Sequence, residues 1–256
     1  MLNIVVPMAG RGSRFADAGY TLPKPLIPIH GHPMIRVVID NLTPASDHRF
    51  HFLILREHAE QYQLDAHLRA WAPGCRIIFV DSVTEGAACT VLLAREFIDN
   101  DDPLMIANCD QYIDADINTY LQSMGDADGL IMTMWADDPK WSFVRRNAEG
   151  RVVEVVEKQV VSNEATVGIY NFRRGADFVQ AAEDMIAANF RVNNEFYVAP
   201  AYDQMISRGA RIECHSIGRL DAGMHGIGVP ADLTAFCESP VSHRAVARLD
   251  AVEPQR

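Results

Sequence analysis

Residues 4–29 read IVVPMAGRGSRFADAGYTLPKPLIPI, and they decide the expected fold. An apolar run, Ile4–Pro7, passes into a glycine-bearing loop, Ala9-Gly10-Arg11-Gly12-Ser13-Arg14. The run predicts a short buried strand. Glycine in the loop admits φ > 0 and lets the backbone approach a bulky anion. Successive backbone N–H groups in such a turn, at a helix start, form a nest for phosphates. Arg14, and Lys24 between Pro23 and Pro25, add full positive charges to those partial ones. The combination points to a site for a nucleoside triphosphate.

Two common phosphate loops are excluded. A dinucleotide-binding turn needs G-x-G-x-x-G, and Phe15 stands where its third glycine would be. A Walker A loop needs G-x-x-x-x-G-K-[ST], which the chain does not contain. The longer pattern, G-x-G-S-R followed by P-K-P-L, resembles the signature of nucleotidyltransferases that include sugar-1-phosphate pyrophosphorylases and phosphocholine cytidylyltransferases.

That resemblance extends along the chain. Residues 104–110, LMIANCD, resemble the family strand whose terminal aspartate binds the catalytic magnesium, which implies Asp110 as the Mg2+ ligand. Residues 152–158, VVEVVEK, are similar to a strand ending in Glu-Lys, which implies Glu157 and Lys158 on the acceptor, the lysine at its phosphate. Thr166–Phe172, TVGIYNF, is similar to the a-G-i-Y segment and places Gly168 beside the acceptor. Asn193–Pro200, NNEFYVAP, stands where the family has an acceptor-recognition helix, which implies Asn193, Asn194 and Glu195. Gly226–Leu233, GIGVPADL, resembles the closing G-T-P-x-D-L. On the nucleotide side, the resemblance implies that Met8, Ala9, Gly10, Arg11, Gly12 and Ser13 wrap the triphosphate while Arg14 and Lys24 neutralise it. Thr84, Glu85, Gly86 and Ala87, in TEGAA, resemble the loop that reads the base edge.

One departure matters. Many sugar pyrophosphorylases read D-x-G-T-P at the closing motif, and that aspartate is a second magnesium ligand. Gly226 occupies its position here. Asp221, Glu195 or water stand as substitutes, or Asp110 and phosphate oxygens hold the metal alone, since Mg2+ accepts few protein ligands when phosphates supply the rest.

Composition is that of an ordinary globular chain. At 256 residues it can bury one large α/β core, and 48% apolar against 22% charged residues is typical. No apolar run approaches the roughly 20 residues of a membrane span. The N-terminus lacks a basic region followed by an apolar stretch, so no secretory signal is expected. Five cysteines without paired metal spacing read as reduced thiols, which with the missing signal suggests a cytoplasmic protein. A net charge of −11 argues against a nucleic-acid groove and makes the basic loop a local exception.

Apolar patterning predicts strands at 2–7, 51–55, 76–80, 104–108, 129–135, 142–146, 152–157, 166–172 and 211–216. Helices are expected at 34–42, 57–70, 86–97, 116–124, 175–188, 195–208 and 230–237, with Asp114 and Asp116 as candidate caps for the fourth. Strands alternating with helices imply a Rossmann-like, mostly parallel sheet with helices on both faces and a strand-rich acceptor half. Ligands then sit beyond the carboxyl ends of the strands. Residues 1–238 read as one nucleotidyltransferase domain. Residues 239–256 read as a loose tail.

The expected chemistry is transfer of a nucleotidyl group to a phosphorylated small-molecule acceptor, with pyrophosphate leaving. The A-G-x-G-S-R loop, against the A-G-G-x-G-T-R of guanylyl- and thymidylyltransferases, leans towards CTP. The resemblance further implies a role in cell-surface polysaccharide synthesis, and a homo-oligomer is possible on the same ground. Asn194 has a plainer role as a helix cap, and Trp141 and Tyr197 as packing residues. Two other classes stand beside the enzyme reading. A silent nucleotide-sugar-binding regulator is permitted by Gly226. A nucleotide-sugar-dependent glycosyltransferase usually shows Asp-x-Asp, where this chain has Asn108-Cys109-Asp110.

Overall fold

The computed structural model describes residues 1–252. The chain enters its main sheet through β1 (Leu2–Met8), and a small ribbon of β2 (Pro28–Ile29) and β3 (His32–Pro33) follows. The first half continues with β4 (His48–Leu55), β5 (Arg76–Val80) and β6 (Leu104–Ala107). Next come β7 (Gln111–Ile113), β8 (Gly129–Trp135), β9 (Ser142–Arg146) and β10 (Val152–Glu157). The last strands are β11 (Glu164–Phe172), β12 (Ile212–Leu220) and β13 (Gly223–Gly226). The early helices are α1 (Ser13–Asp17), α2 (Met34–Leu42), α3 (Arg56–Tyr62), α4 (Leu64–Trp71), α5 (Ala87–Leu92) and α6 (Arg95–Ile98). The later ones are α7 (Ile117–Gln122), α8 (Gly175–Ala187), α9 (Ala201–Ser207), α10 (Pro230–Glu238) and α11 (Pro240–Val252).

The main path of the sheet runs β5-β4-β1-β6-β11-β8-β12-β13-β7, with the β9–β10 ribbon attached through β11. Strands β5, β4, β1 and β6 are parallel, β11 is antiparallel to both its neighbours, and β12 is parallel to β8. The mixed α/β sheet, mostly parallel, is therefore as the alternation of elements predicts. The alternation of side chains along β1 shows how the sequence builds two cores. Ile4, Val6 and Met8 join one buried cluster with Ile35, Leu68, Tyr120 and Phe236. Val5 points the other way, into a cluster with Val91, Ile98, Phe178 and Tyr202. Helices thus cover both faces. Each fully buried aliphatic or aromatic side chain contributes roughly 1.5–3 kcal/mol relative to exposure.

Several expectations need correction. The helix expected over 57–70 is broken at Gln63, whose φ of 53° ends α3 and starts α4. The one expected over 86–97 is interrupted between α5 and α6. The helix expected from 195 begins only at Ala201. Asn194 does not cap it: Asn193 and Asn194 have φ values of 49° and 64°. They form a tight turn in which Val192 and Glu195 exchange both backbone hydrogen bonds, at 3.1 and 2.9 Å. Asparagine tolerates this left-handed geometry, which hairpin turns require at both central residues.

Residues 240–252, expected in a loose tail, form α11, and residues 253–256 of that expectation lie outside the described residues. The apolar positions Val241, Ala245 and Leu249 recur every four residues, and Ala245, Val246 and Leu249 are buried against the core. His30 stacks on His243 with ring centroids 4.1 Å apart. The tail expectation failed because polar neighbours diluted a genuine helical stripe. The short strands β7 and β13 were not expected either. They pair with each other and bring the segment around Gly226 alongside Asp110.

Candidate active site

The glycine loop leaves β1 at the carboxyl end of the parallel strands and turns into α1. Gly12 has φ 63°, and a Cβ there would lie 3.1 Å from the Lys24 Cβ, so both backbone and packing call for glycine. Gly10 differs, since a Cβ at its position would meet nothing within 4 Å. The fold does not demand glycine there, and the space in front of the loop is open. Met8 and Ala9 bury their side chains, whereas Gly10, Arg11, Ser13 and Arg14 are exposed. Phe15 fills the core at the start of the helix and meets Tyr20 edge-on, with centroids 5.1 Å apart.

Lys24 sits in a single 3-10 turn that follows Pro23, and its Nζ lies 2.8 Å from Asp110 Oδ2. Both side chains are mostly buried, 20% and 28% exposed. Burial by itself would lower the Lys24 ammonium, yet Asp110 beside it raises it above the ordinary lysine value. Burial would likewise raise the Asp110 carboxyl, yet Lys24 holds it below the usual carboxylate value. The pair is therefore charged at neutral pH.

Asp110 is framed by glycines. A Cβ at Gly228 would lie 2.6 Å from its Oδ2, and the Ile227 N–H donates to the Asp110 carbonyl at 3.0 Å. A Cβ at Gly226 would lie 3.3 Å from Asp232 Oδ2, so an exposed carboxylate on α10 approaches the place of the missing aspartate. Among the described residues no group of three or more His, Cys, Asp or Glu side chains is arranged to hold a metal. A single carboxylate beside an open glycine loop nevertheless fits Mg2+, which takes oxygen donors and keeps few of them from protein. Asp110 is the residue that would hold it.

The wall of the cleft expected to take the acceptor is assembled from separate segments. β11 loses register with β8 between Thr166 and Tyr170, and Gly168, φ 80°, lies inside that irregularity. A Cβ at Gly168 would lie 2.2 Å from Asn108 Nδ2, so glycine there makes room for Asn108. Lys158 has φ 57°, an unusual conformation outside glycine, directly after β10. Its N–H donates to the Trp141 carbonyl at 3.0 Å. Its ammonium donates to the Tyr197 hydroxyl and lies 4.5 Å from the centre of that ring. Ser142 donates to the Glu157 carboxylate. Burial pushes the Glu157 carboxyl above its usual value, against the opposing pull of Ser142 and Lys158.

These groups meet in one cleft of about 400 Å³. Arg14, Ala87, Asp110, Glu157, Lys158, Gly168 and Glu195, all expected in the site, line it together. Lys24 joins them through Asp110. Asn193 and Asn194 do not line the cleft, because they form the turn that presents Glu195. Thr84 hydrogen-bonds the Gly86 carbonyl at 2.9 Å and so serves its loop's shape, whereas Glu85 pairs with Arg191 of a remote segment at 2.8 Å. Asn108, Lys140, Trp141, Ser142, Thr166, Tyr170 and Tyr197 line the cleft and were not expected there. Tyr197 carried a signal, two residues after the expected Glu195, whereas Trp141 reaches the cleft only through its backbone contact with Lys158. Of the two candidate helix caps, Asp116 caps α7 by accepting from the Asn118 and Thr119 N–H groups. Among the described residues no helix is long and apolar enough to cross a membrane, and all five cysteines are free thiols.

Comparison with known proteins agrees with this geometry. The nucleotidyl transferase family model matches residues 4–197. The bifunctional protein GlmU of Methanococcus aeolicus is 23% identical over 175 residues, covering 67% of this chain and 40% of that protein. A mannose-1-phosphate guanyltransferase of Aspergillus oryzae is 25% identical over 187 residues, covering 66% of this chain and 49% of that protein. The chain thus spans about half, or less, of the length of these curated relatives. A nucleoside-diphosphate-sugar pyrophosphorylase from Vibrio cholerae superimposes with a TM-score of 0.80 at 26% identity, covering 92% of this chain and all of that one. A glycine loop after the first strand, an aspartate at the end of a parallel strand and a family match spanning both lead to one conclusion: the chain belongs to the nucleotidyl transferase family.

Proposed function

We propose that this protein joins the nucleoside monophosphate part of a nucleoside triphosphate to a phosphorylated small molecule, such as a sugar 1-phosphate, and releases pyrophosphate. The observation that carries this reading is the shared cleft, whose lining brings Arg14, Asp110 and Lys158 together. An acceptor phosphate oxygen is already anionic at neutral pH, so its attack on the α-phosphorus needs no general base. The obstacle is repulsion between two polyanions, about 4 kcal/mol for unit charges 4 Å apart at an effective dielectric near 20. Positioning and neutralisation overcome it. Arg14 and the open backbone of Gly10–Ser13 hold the triphosphate, and Lys24 adds a charge while fixing Asp110. Lys158 takes the acceptor phosphate. Glu157 and Glu195 accept hydrogen bonds from the acceptor's far end, and the Thr84–Ala87 loop reads the base. Mg2+ on Asp110 would supply charge neutralisation at the α-phosphate.

CTP is the favoured nucleotide on the loop sequence Ala9–Arg14, while the relatives include a guanyltransferase. The test is thermal unfolding with CTP, UTP, GTP and dTTP in Mg2+, followed by a pyrophosphate-release screen of sugar 1-phosphates and other phosphorylated acceptors. A nucleotide at 100 times its Kd adds about 2.7 kcal/mol of stability. Stabilisation by CTP and pyrophosphate release with one acceptor are the expected results. No stabilisation by any of the four would overturn the reading, and stabilisation without release under every acceptor would favour a silent binding protein.

A further inference from the structure

The nucleotide loop and the acceptor turn are clasped to each other away from the cleft. The Phe196 N–H donates to the Glu85 carbonyl at 2.8 Å, and the Ala88 N–H donates to the Phe196 carbonyl at 3.0 Å. Gly86 permits this contact. Its φ is 133°, and a Cβ there would fall 2.4 Å from the Phe196 carbonyl oxygen and 2.5 Å from its nitrogen. The Phe196 side chain is 1% exposed and packs with Ala88 and Met185 in a small cluster of its own. Arg191 straps the outside. Its Nη2 lies 2.8 Å from Glu85 Oε2, its Nη1 3.3 Å from the Asn194 carbonyl and its Nε 2.7 Å from Asn189 Oδ1. Its guanidinium lies 4.1 Å from the centre of the Phe196 ring. One flat cation therefore ties the base-side loop to the turn that presents Glu195, a task for which a forked, stacking donor suits and a lysine does not.

We propose that Arg191 is a positioning residue that makes the two loops move as one, so that nucleotide binding sets Glu195 and Tyr197 for the acceptor and the two substrates bind with positive coupling. The inference rests on the reading of Thr84–Ala87 as the nucleotide loop. A coupling of this kind requires a shared element whose order both ligands favour, and the clasp is such an element. The surface pair between Arg191 and Glu85 is half open to solvent, 30% and 66% exposed. Phe196 keeps its packing on Ala88 and Met185 and its backbone bonds to Glu85 and Ala88 without Arg191, so variants at Arg191 keep the fold, which a thermal midpoint checks.

The probe is CTP, or whichever of CTP, UTP, GTP and dTTP stabilises most in Mg2+, with amide hydrogen exchange read residue by residue. In the unaltered protein, nucleotide slows exchange at Ala88 and also at Val192, Glu195 and Phe196, by roughly fivefold or more, the low end of ordinary coupling between sites. In Arg191→Ala the protection at Ala88 stays and that at Val192 and Glu195 is lost, and Arg191→Lys retains less than half of it. With an acceptor in hand, Arg191→Ala weakens acceptor binding in the presence of nucleotide by a similar factor and leaves nucleotide binding without acceptor unchanged, since a lost coupling is read only when both ligands are present. Nucleotide binding that protects Ala88 alone in the unaltered protein, or full transmission in Arg191→Ala, overturns the proposal while leaving the nucleotidyl transfer reading in place. Failure of every nucleotide to bind overturns both.

Discussion

On one rim of the cleft, Gly12, Arg14 and Lys24 come from a single short stretch, residues 12–24, that follows the first strand. On the other, Trp141, Glu157, Lys158, Glu195 and Tyr197 come from separate segments that meet only in three dimensions. The nucleotide rim is local, rich in glycine and charge, and held by one mostly buried ion pair between Lys24 and Asp110. The acceptor rim is held by side-chain hydrogen bonds, a positive-φ lysine and a bulged strand. On the proposed reading, the local rim takes a chemically constant group, the triphosphate. A composite rim can be altered piece by piece, which suits the half of a reaction whose partner differs between relatives.

The comparison breaks most readily at its strongest point. Lys24→Ala removes the partner of a part-buried carboxylate and the cation expected at the triphosphate, and Asp110→Asn removes the charge while keeping the shape. Turnover should fall by roughly 10²-fold or more in each, as for removal of a group that meets developing charge. The check is steady-state pyrophosphate release beside a thermal midpoint. Near-normal rates in both would mean that this pair only braces the loop.

A smaller effect is expected across the cleft. Glu195→Gln and Tyr197→Phe should raise the acceptor KM about tenfold, the scale of one lost hydrogen bond to a charged group, with nucleotide KM unchanged. Separate titration of each substrate distinguishes this from a general loss. A matching rise in nucleotide KM would dissolve the division into two rims.

The third expectation concerns pH. Burial raises the Glu157 carboxyl above its usual value, so it gains its proton before an exposed glutamate as pH falls. Acceptor binding that needs the charged form should weaken on the acid side of neutrality, and Glu157→Gln should abolish that limb. A pH profile of kcat/KM for the acceptor, unchanged in Glu157→Gln, would place the titration elsewhere.

The smallest effect lies beneath the acceptor rim. Asp203 on α9 accepts the Val155 N–H at 2.7 Å and so holds β10, which ends at Glu157. Burial pushes its carboxyl up to about 6 from an ordinary 3.8. The native state therefore binds the proton more tightly than the unfolded chain, and stability from this group is full below about pH 4 and lost as pH rises through about 6. Asp203→Asn keeps the acceptor atom without the charge. It should stabilise the protein by on the order of 1 kcal/mol at pH 8, discounted for partial exposure, and by nothing at pH 4. Equal effects at both pH values in denaturant melts would count against a raised carboxyl.

How much the sequence revealed follows the same division. Strand β1, the glycine loop, Pro23-Lys24-Pro25 and the strand before Asp110 were legible because each depends on neighbours a few residues away. A continuous apolar run, glycine at a positive φ and proline-fixed backbone are local conditions. The sequence of Ser13–Arg14 and the order of the segments also named the family. The long helices α2, α8 and α10 showed their apolar faces, whereas α11 hid its stripe among polar residues until the core supplied a surface for it.

What the tertiary structure alone decided was the meaning of residues that serve a distant partner. Gly168 is glycine because Asn108 lies against it, Gly86 because Phe196 does, and Gly228 because Asp110 does. None of those partners is near in sequence, so no local rule could assign them. Asn194 looked like a cap and proved, with Asn193, to form a turn, because Phe196 spends its backbone hydrogen bonds on Glu85 and Ala88 instead of on a helix. Chain order determined the strands, the phosphate loop and the family. Packing between remote segments determined which side chains line the cleft, since contact depends on distance in space and a sequence records only distance along the chain.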